Sequence, residues 1–307
     1  MDNVKPAIVE PLIRFETIAQ YNQAYQHETL HPLVTVIDLS RAPSPARQGS
    51  KIYFGFYVIF LKDVKCGDLT YGRATYDYQE GTLVFIAPGQ VVGVNRNPDV
   101  QPRGFALAFH PDLIHGTPLG KHMHEYTFFG YQSNEALHIS EREREIVMGC
   151  FAKIHDELLR PVDKHSRRLI VSNIELFLNY CVRFYDRQFI TREQVNRGIL
   201  ERFEALLHEY LYSGKIAEEG IPTVAQFAGL LHLSPNYFGD VVKKETGITA
   251  QEYIQSRLIE IAKEKLFDYS KSVSEVAYEL GFRYPQHFTR LFKQKVGLSP
   301  SEFRNMN

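Results

Sequence analysis

The sequence predicts an α+β chain: an N-terminal antiparallel β unit with helices behind it, then an all-α C-terminal unit made of a repeated pair of short helices. Three observations predict it. Short β-branched and aromatic runs alternate with turn residues over 31–135, the apolar period turns helical from about Ser140, and the chain repeats itself beyond residue 220.

The β runs are 33–37, 52–60, 82–86 and 104–109, broken by turn residues at Lys62-Asp63, Cys66-Gly67-Asp68, Glu80-Gly81 and Ala87-Pro88-Gly89. Several short strands at such spacing form a small antiparallel barrel or sandwich. Past Ser140, Ile170, Ile174, Phe177, Cys181 and Phe184 recur every three to four residues, as do Ile199, Phe203, Leu206 and Tyr210, so each helix has one apolar stripe. The stripe over 164–187 suits either a neighbouring helix of its own subunit or a two-helix seam in a dimer. Residues 211–220 break the pattern and read as a linker. The chain thus divides into a ligand-sensing and dimerising domain over 1–210 (β-rich 31–135, helical 140–210), the linker 211–220, and the tandem unit 221–307.

Composition narrows the function class. With 307 residues, 44% hydrophobic and 23% charged, the chain has enough apolar content for two cores and is neither disordered nor fibrous. Met1 to Tyr21 carries charges where a secretory segment would be apolar, and no apolar run is long enough to span a bilayer, so a cytoplasmic protein without membrane contact is expected. Cys66, Cys150 and Cys181 are odd in number and widely separated, which fits buried reduced thiols. Net charge is −1, yet the stretch 281–307 sets Arg283, Arg290, Lys293, Lys295 and Arg304 against Glu302 alone. A local basic end sits on a neutral chain.

The repeat carries the most information. Val224, Phe227, Ala228 and Leu231 correspond to Val273, Val276, Ala277 and Leu280, the same i, i+3, i+4, i+7 face; Phe238, Val242 and Gly247 correspond to Phe288, Phe292 and Gly297. Thr223/Gln226, Thr249/Glu252, Ser272/Glu275 and Ser299/Glu302 each have capping-box spacing and mark four helix starts. Short turns end in Ser234-Pro235 and in Tyr284-Pro285, with proline at the first helical position. Two helices joined by so short a turn make a helix-turn-helix, whose second member can enter a DNA major groove. With Phe238, Val241 and Val242 inward, the first such helix turns out Asn236, Tyr237, Gly239, Asp240 and Lys243. With Phe288, Leu291 and Phe292 inward, the second turns out Gln286, His287, Thr289, Arg290 and Lys293. Arg283 sits in the turn before it. A helix from about Ala250 to Asp268 joins the pairs; at about 28 Å it approaches the ~34 Å turn of DNA between successive major-groove segments.

The segments Val273-Ser-Glu-Val-Ala-Tyr-Glu-Leu-Gly-Phe282, Pro285-Gln-His-Phe-Thr-Arg-Leu-Phe-Lys293 and Gly297-Leu-Ser-Pro-Ser-Glu-Phe-Arg304 resemble the signature of AraC/XylS-type transcription regulators, over residues of about 220–304. The resemblance implies two helix-turn-helix subdomains joined by a long helix, acting on double-stranded promoter DNA. Asn236, Gly239 and Asp240 match the family's first recognition helix, and Gln286, His287 and Arg290 its second. Gly239 and Asp240 depart from more basic members. The N-terminal half is similar to the cupin-like barrel with helices common among these regulators. Expected partners are promoter DNA, a small-molecule effector, RNA polymerase and a second copy of the chain.

His110, His115, His122 and His124 crowd into one stretch, and His122-Met-His124-Glu125 resembles the ligand spacing of metal-binding cupins; the rest of that motif is missing, so no metal or cofactor is expected. Tyr71, Arg73, Tyr76 and Tyr78 place aromatics and an arginine on alternating strand positions, suited to a polar small ligand in a barrel or to cross-strand packing. Cys181 falls on an apolar stripe, where a thiol stays protonated, so no enzyme activity is expected.

Overall fold

The computed structural model describes residues 12–43, 50–63, 67–71, 74–75, 81–96, 103–131 and 135–306, and divides the chain into two units, Met1–Thr191 and Arg192–Asn307. The first unit runs β1 (Leu12–Phe15), α1 (Ile18–Ala24), β2 (Val34–Asp38), β3 (Ser50–Phe54), β4 (Tyr57–Lys62), β5 (Gly67–Tyr71), β6 (Ala74–Thr75), β7 (Thr82–Ile86), β8 (Val91–Arg96), β9 (Gly104–Phe109), α2 (Pro111–Ile114), α3 (Pro118–His122), β10 (Leu137–His138), α4 (Glu141–Leu158) and α5 (Ser166–Thr191).

Of the expected barrel or sandwich, the strands form two five-stranded sheets, ordered β1-β3-β8-β5-β6 and β10-β7-β4-β9-β2, and not one closed barrel. Nor is the pairing wholly antiparallel: β1 runs parallel to β3, Leu12 opposite Lys51 through Phe15 opposite Phe54. A parallel pair needs a long crossover, and α1 and β2 lie between these two strands. Alternate residues of both sheets face one core. Phe15, Ile52, Phe54 and Val92 come from one sheet, and Ile37, Val58, Phe60, Val84, Ile86, Ala106 and Ala108 from the other.

The second sheet is buried on its outer face as well, which is why β7 carries four consecutive apolar residues after Thr82 and has all five residues buried. Phe85 there packs against Phe128 (4.4 Å between ring centroids) and Tyr185 of α5 (6.2 Å). On α5 the side-chain amide of Gln188 accepts from the His138 N–H at 2.8 Å and donates to the Ala136 carbonyl at 3.1 Å, holding the helix to β10. The α5 stripe of Ile170, Ile174, Phe177, Cys181 and Phe184 is buried within its own unit, with Phe177 5.2 Å from Phe151 of α4. It is therefore spent inside the subunit. A different α5 face, carrying Leu169, Leu176 and Ile190, is exposed at 48%, 41% and 64%.

The second unit is all helix: α6 (Glu193–Tyr212), α7 (Lys215–Glu219), α8 (Val224–Leu230), α9 (Pro235–Thr246), α10 (Ala250–Leu266), α11 (Val273–Glu279), α12 (Pro285–Val296) and α13 (Pro300–Met306). The division between units falls after Thr191 rather than within 211–220. Phe203, Leu207, Tyr210 and Leu211 of α6 and Ile216 of α7 are buried in the C-terminal core, so the stretch read as a linker is part of that unit. Phe203 lies 5.1 Å from Phe227 and 4.9 Å from Phe238, edge to face in both cases.

Helix starts follow the capping spacing. Thr223, Thr249 and Ser272 form complete capping boxes with Gln226, Glu252 and Glu275, and Ser299 and Glu302 exchange bonds at α13. Those bonds from backbone and hydroxyl donors hold the Glu252, Glu275 and Glu302 carboxyls below the ordinary glutamate range. Hydrogen bonds from Lys265 (2.6 Å) and Lys271 (2.5 Å) do the same for Glu279, tying α11 to the end of α10. Carboxyls depressed in the folded state contribute stability that is complete above their unfolded pKa and lost as pH falls through the folded value. The Tm of the wild-type chain is therefore expected to drop more steeply than that of Glu279→Gln between about pH 6 and about pH 3. Parallel acid profiles in scanning calorimetry would remove Glu279 as a source of this dependence.

Candidate nucleic-acid interface

Each of the two helix pairs is built by the same local chemistry. The first helix ends in a left-handed residue, His232 at φ 58° in one copy and Gly281 at φ 76° in the other. The following residue then bonds back in the same way, Leu233 N–H to the Ala228 carbonyl (2.9 Å) and Phe282 N–H to the Ala277 carbonyl (3.0 Å). Gly281 is required twice over, because a Cβ there would stand 2.5 Å from the Ile216 carbonyl oxygen of α7. After the turn, Ser234 caps α9 by accepting from the Tyr237 N–H at 3.1 Å, and Pro235 and Pro285 occupy the first helical positions.

One face of each second helix is pinned. Phe238, Val241 and Val242 of α9 and Phe288 and Phe292 of α12 are buried, and Phe288 packs 5.3 Å from Phe282 and 5.6 Å from Phe292. The opposite face of α12 presents Gln286, His287, Arg290 and Lys293, all exposed, with Arg283 exposed in the preceding turn. Among the described residues, none of Arg283, Arg290 or Lys293 is in an ion pair. The His287 ring leans on Tyr284, edge to face at 5.5 Å. On α9, Asn236 and Lys243 are exposed and Gly239 and Asp240 half-buried.

Tyr237 departs from the sequence expectation: it is 4% exposed and cannot present its ring outward. It stands one turn from Val241, on the edge of the buried stripe, whereas the corresponding His287 stands one turn from the half-buried Leu291 and stays out. Arg304, counted from sequence in the basic end, is also spent elsewhere. Its guanidinium donates to the Leu266 carbonyl at 2.9 Å and the Lys271 carbonyl at 2.8 Å, fastening α13 to the end of α10.

A groove of 240 Å³ between α10 and α12 brings Gln251 and Gln255 beside His287, Arg290 and Gln294. Sequence reasoning passed over these glutamines because the linking helix was read only for its apolar stripe; their i, i+4 spacing was the available signal. The first unit holds a cavity of 640 Å³ lined by Asp38, Asp63, Arg103, Glu141 and Arg144. Arg144 there grips Asp63 through two bonds, of 2.9 and 2.7 Å. Its residues come from separate elements, so no local motif announced it.

Of the sequence-expected ligand residues, Tyr71 lies on β5 with its backbone opposite Ala74, while Arg73, Tyr76 and Tyr78, like Cys66, lie outside the described residues. His110 caps α2 by accepting from the Asp112 N–H, and His124 Nδ1 lies 3.1 Å from the Lys121 carbonyl. Among the described residues no group of three or more His, Cys, Asp or Glu could hold a metal, and no helix is long and apolar enough to cross a membrane. Burial pushes the Cys181 thiol well up, so it is protonated at neutral pH.

The buried and the exposed residues of α9 and α12 separate by stability. Tyr237→Ala is expected to lower the unfolding free energy by about 3–5 kcal/mol, while Gln286→Ala stays within about 0.5 kcal/mol of wild type. Denaturant unfolding of the two variants decides it, and equal stability would return Tyr237 to the surface set.

Residues 227–306 match the model of a helix-turn-helix domain family. The chain is similar to the "Uncharacterized HTH-type transcriptional regulator YijO" of Escherichia coli (strain K12), 27% identical over 174 residues, 57% of this chain and 58% of that protein. It is similar to the "Bifunctional transcriptional activator/DNA repair enzyme AdaA" of Bacillus subtilis (strain 168), 35% identical over 85 residues, 28% of this chain and 40% of that one. It is also similar to the "Probable transcriptional regulator LumQ" of Photobacterium leiognathi, 27% identical over 226 residues, 73% and 83% of the two chains. The match thus spans less than two thirds of the first two relatives. The helix-turn-helix match lies wholly within the C-terminal unit.

Proposed function

We propose that the chain is a cytoplasmic, homodimeric transcription regulator that reads double-stranded promoter DNA with α9 and α12, under control of a small molecule bound in the first unit. One observation carries the DNA-reading part: Gln286 and Arg290 stand exposed on the face of α12 opposite the buried Phe288 and Phe292. Those side-chain types make paired hydrogen bonds to adenine and guanine edges respectively. Asn236 and Lys243 on α9, and Arg283, His287 and Lys293 around α12, supply further base and phosphate contacts. Asp240 stands half-buried in this surface and weakens the α9 contribution. The family resemblance supports RNA polymerase as the protein partner and supports no catalytic role.

With an operator selected from random-sequence DNA, Gln286→Ala and Arg290→Ala are each expected to cost about 1–3 kcal/mol in binding. On unrelated DNA Gln286→Ala should change little, since an uncharged side chain releases no counterion. An Arg290→Ala loss of equal size on both DNAs, with the salt slope flattened by about one unit, would make Arg290 a phosphate clamp instead of a base reader.

We propose that the second copy packs on the exposed α5 face, which carries apolar residues at heptad-like spacing. Leu169, Leu176 and Ile190 are separated by seven and fourteen residues, the spacing of a two-helix seam. Leu176→Glu with Ile190→Glu is expected to give a folded monomer by sedimentation equilibrium and weaker operator binding. An unchanged dimer would overturn this seam.

A further inference from the structure

The linking helix α10 has two working faces. At 3.6 residues per turn, Gln251, Gln255 and Leu258, which border the groove beside Arg290, share one face; Tyr253, Arg257, Glu260 and Glu264 share another, roughly opposite. This second face and α6 enclose a groove of 340 Å³. On α6 its residues recur at 204, 207, 208, 211 and 212, again a single helix face.

The groove floor is apolar, made by the buried Leu207, Leu211 and Ile261, and Tyr212, 57% exposed and stacked on His208 at 4.5 Å, walls one end. The rim is acidic. Glu204, Glu260 and Glu264 line it against a single cation, Arg257, which is already committed: its Nη2 donates to the Tyr253 hydroxyl at 3.0 Å and stands 3.8 Å from Glu204. Lys263 reaches Glu260 at 2.9 Å from outside the lining, and Glu264 has no ion-pair partner among the described residues. The span from Tyr253 to Glu264 is about 16 Å, three turns of helix.

We propose that this groove docks a cationic amphipathic helix of another protein, apolar residues at three- and four-residue spacing on the floor and lysines or arginines against Glu260 and Glu264. An apolar floor between two helices with a one-sided charge on the rim is the helix-in-groove arrangement, in which floor contacts give affinity and rim charges fix register. Because the two α10 faces are opposed, docking leaves the Gln286 and Arg290 surface free. The inference stands on this groove alone and does not require DNA reading.

The probe is a fluorescein-labelled helical peptide of leucine and lysine at this spacing, titrated with the full chain without DNA and read by anisotropy. Saturable binding is expected, weakened at least about tenfold in Glu260→Lys/Glu264→Lys, with unchanged helical circular dichroism. The same peptide with glutamate for lysine should be ignored by the wild type and bound by the double variant, an exchange that only this rim explains. No binding of the lysine peptide, equal binding of both peptides, or undiminished lysine-peptide binding by the double variant overturns the proposal. Operator binding by the wild type is measured in a separate titration, so a failed peptide exchange beside intact operator binding sinks the groove alone.

Discussion

The C-terminal unit depends on one constraint repeated twice: a phenylalanine, Phe238 in α9 and Phe288 in α12, fully buried on one side of a short helix. Burying such a side chain is favourable by about 1.5–3 kcal/mol, but its larger consequence is rotational. A helix that must keep Phe288 and Phe292 inward has its opposite face assigned, and Gln286, Arg290 and Lys293 are outward because nothing else is allowed. The same logic sets the edges of the stripe. Tyr237 lies one turn before the fully buried Val241 and is drawn in, whereas His287 lies one turn before the half-buried Leu291 and remains out.

Rotation alone does not set where the helix points; the turn does. A left-handed residue at the end of α8 and α11 reverses the chain and returns its N–H bond to the helix just left. The second copy meets α7 so closely that only glycine fits, while the first copy has room for His232 at the same backbone setting and accepts its strain. The core around Phe203 extends this order into α6, which is why the stretch once separating the domains by composition belongs to the C-terminal fold.

The two units differed in how much of them could be read from sequence. Capping boxes, proline starts and i, i+3, i+4 stripes are local signals, and the second unit is assembled from them, so four helix starts and both helix pairs are legible in the sequence. Sheet order is non-local. The parallel pairing of β1 with β3 and the division into two sheets depend on contacts across more than thirty-five residues, which strand composition does not encode. The burial of β7 on both faces also erased the alternation by which its orientation might have been read. Leu211 and Ile216 were hidden among glycines and charges, and their burial followed from partners in α8 to α11, far along the chain.

The duplicated scaffold is not duplicated in charge, and that difference bears on how the two halves work under the DNA-reading proposal. The helices α9 and α12 share length, proline start and glycine stop. Yet α9 presents Asn236, Gly239, Asp240 and Lys243 where α12 presents Gln286, Thr289, Arg290 and Lys293. Phosphate neutralisation supplies most non-specific affinity, so a carboxylate in the surface that faces the backbone lowers it as surely as an arginine raises it. Under that proposal α12 is the anchoring helix, and α9 contributes through Asn236 and Lys243. A rigid α10 of 17 residues, about 25 Å, makes the weaker half useful by holding it at a fixed distance from the anchored one. Its contacts are then made without a second loss of translational freedom.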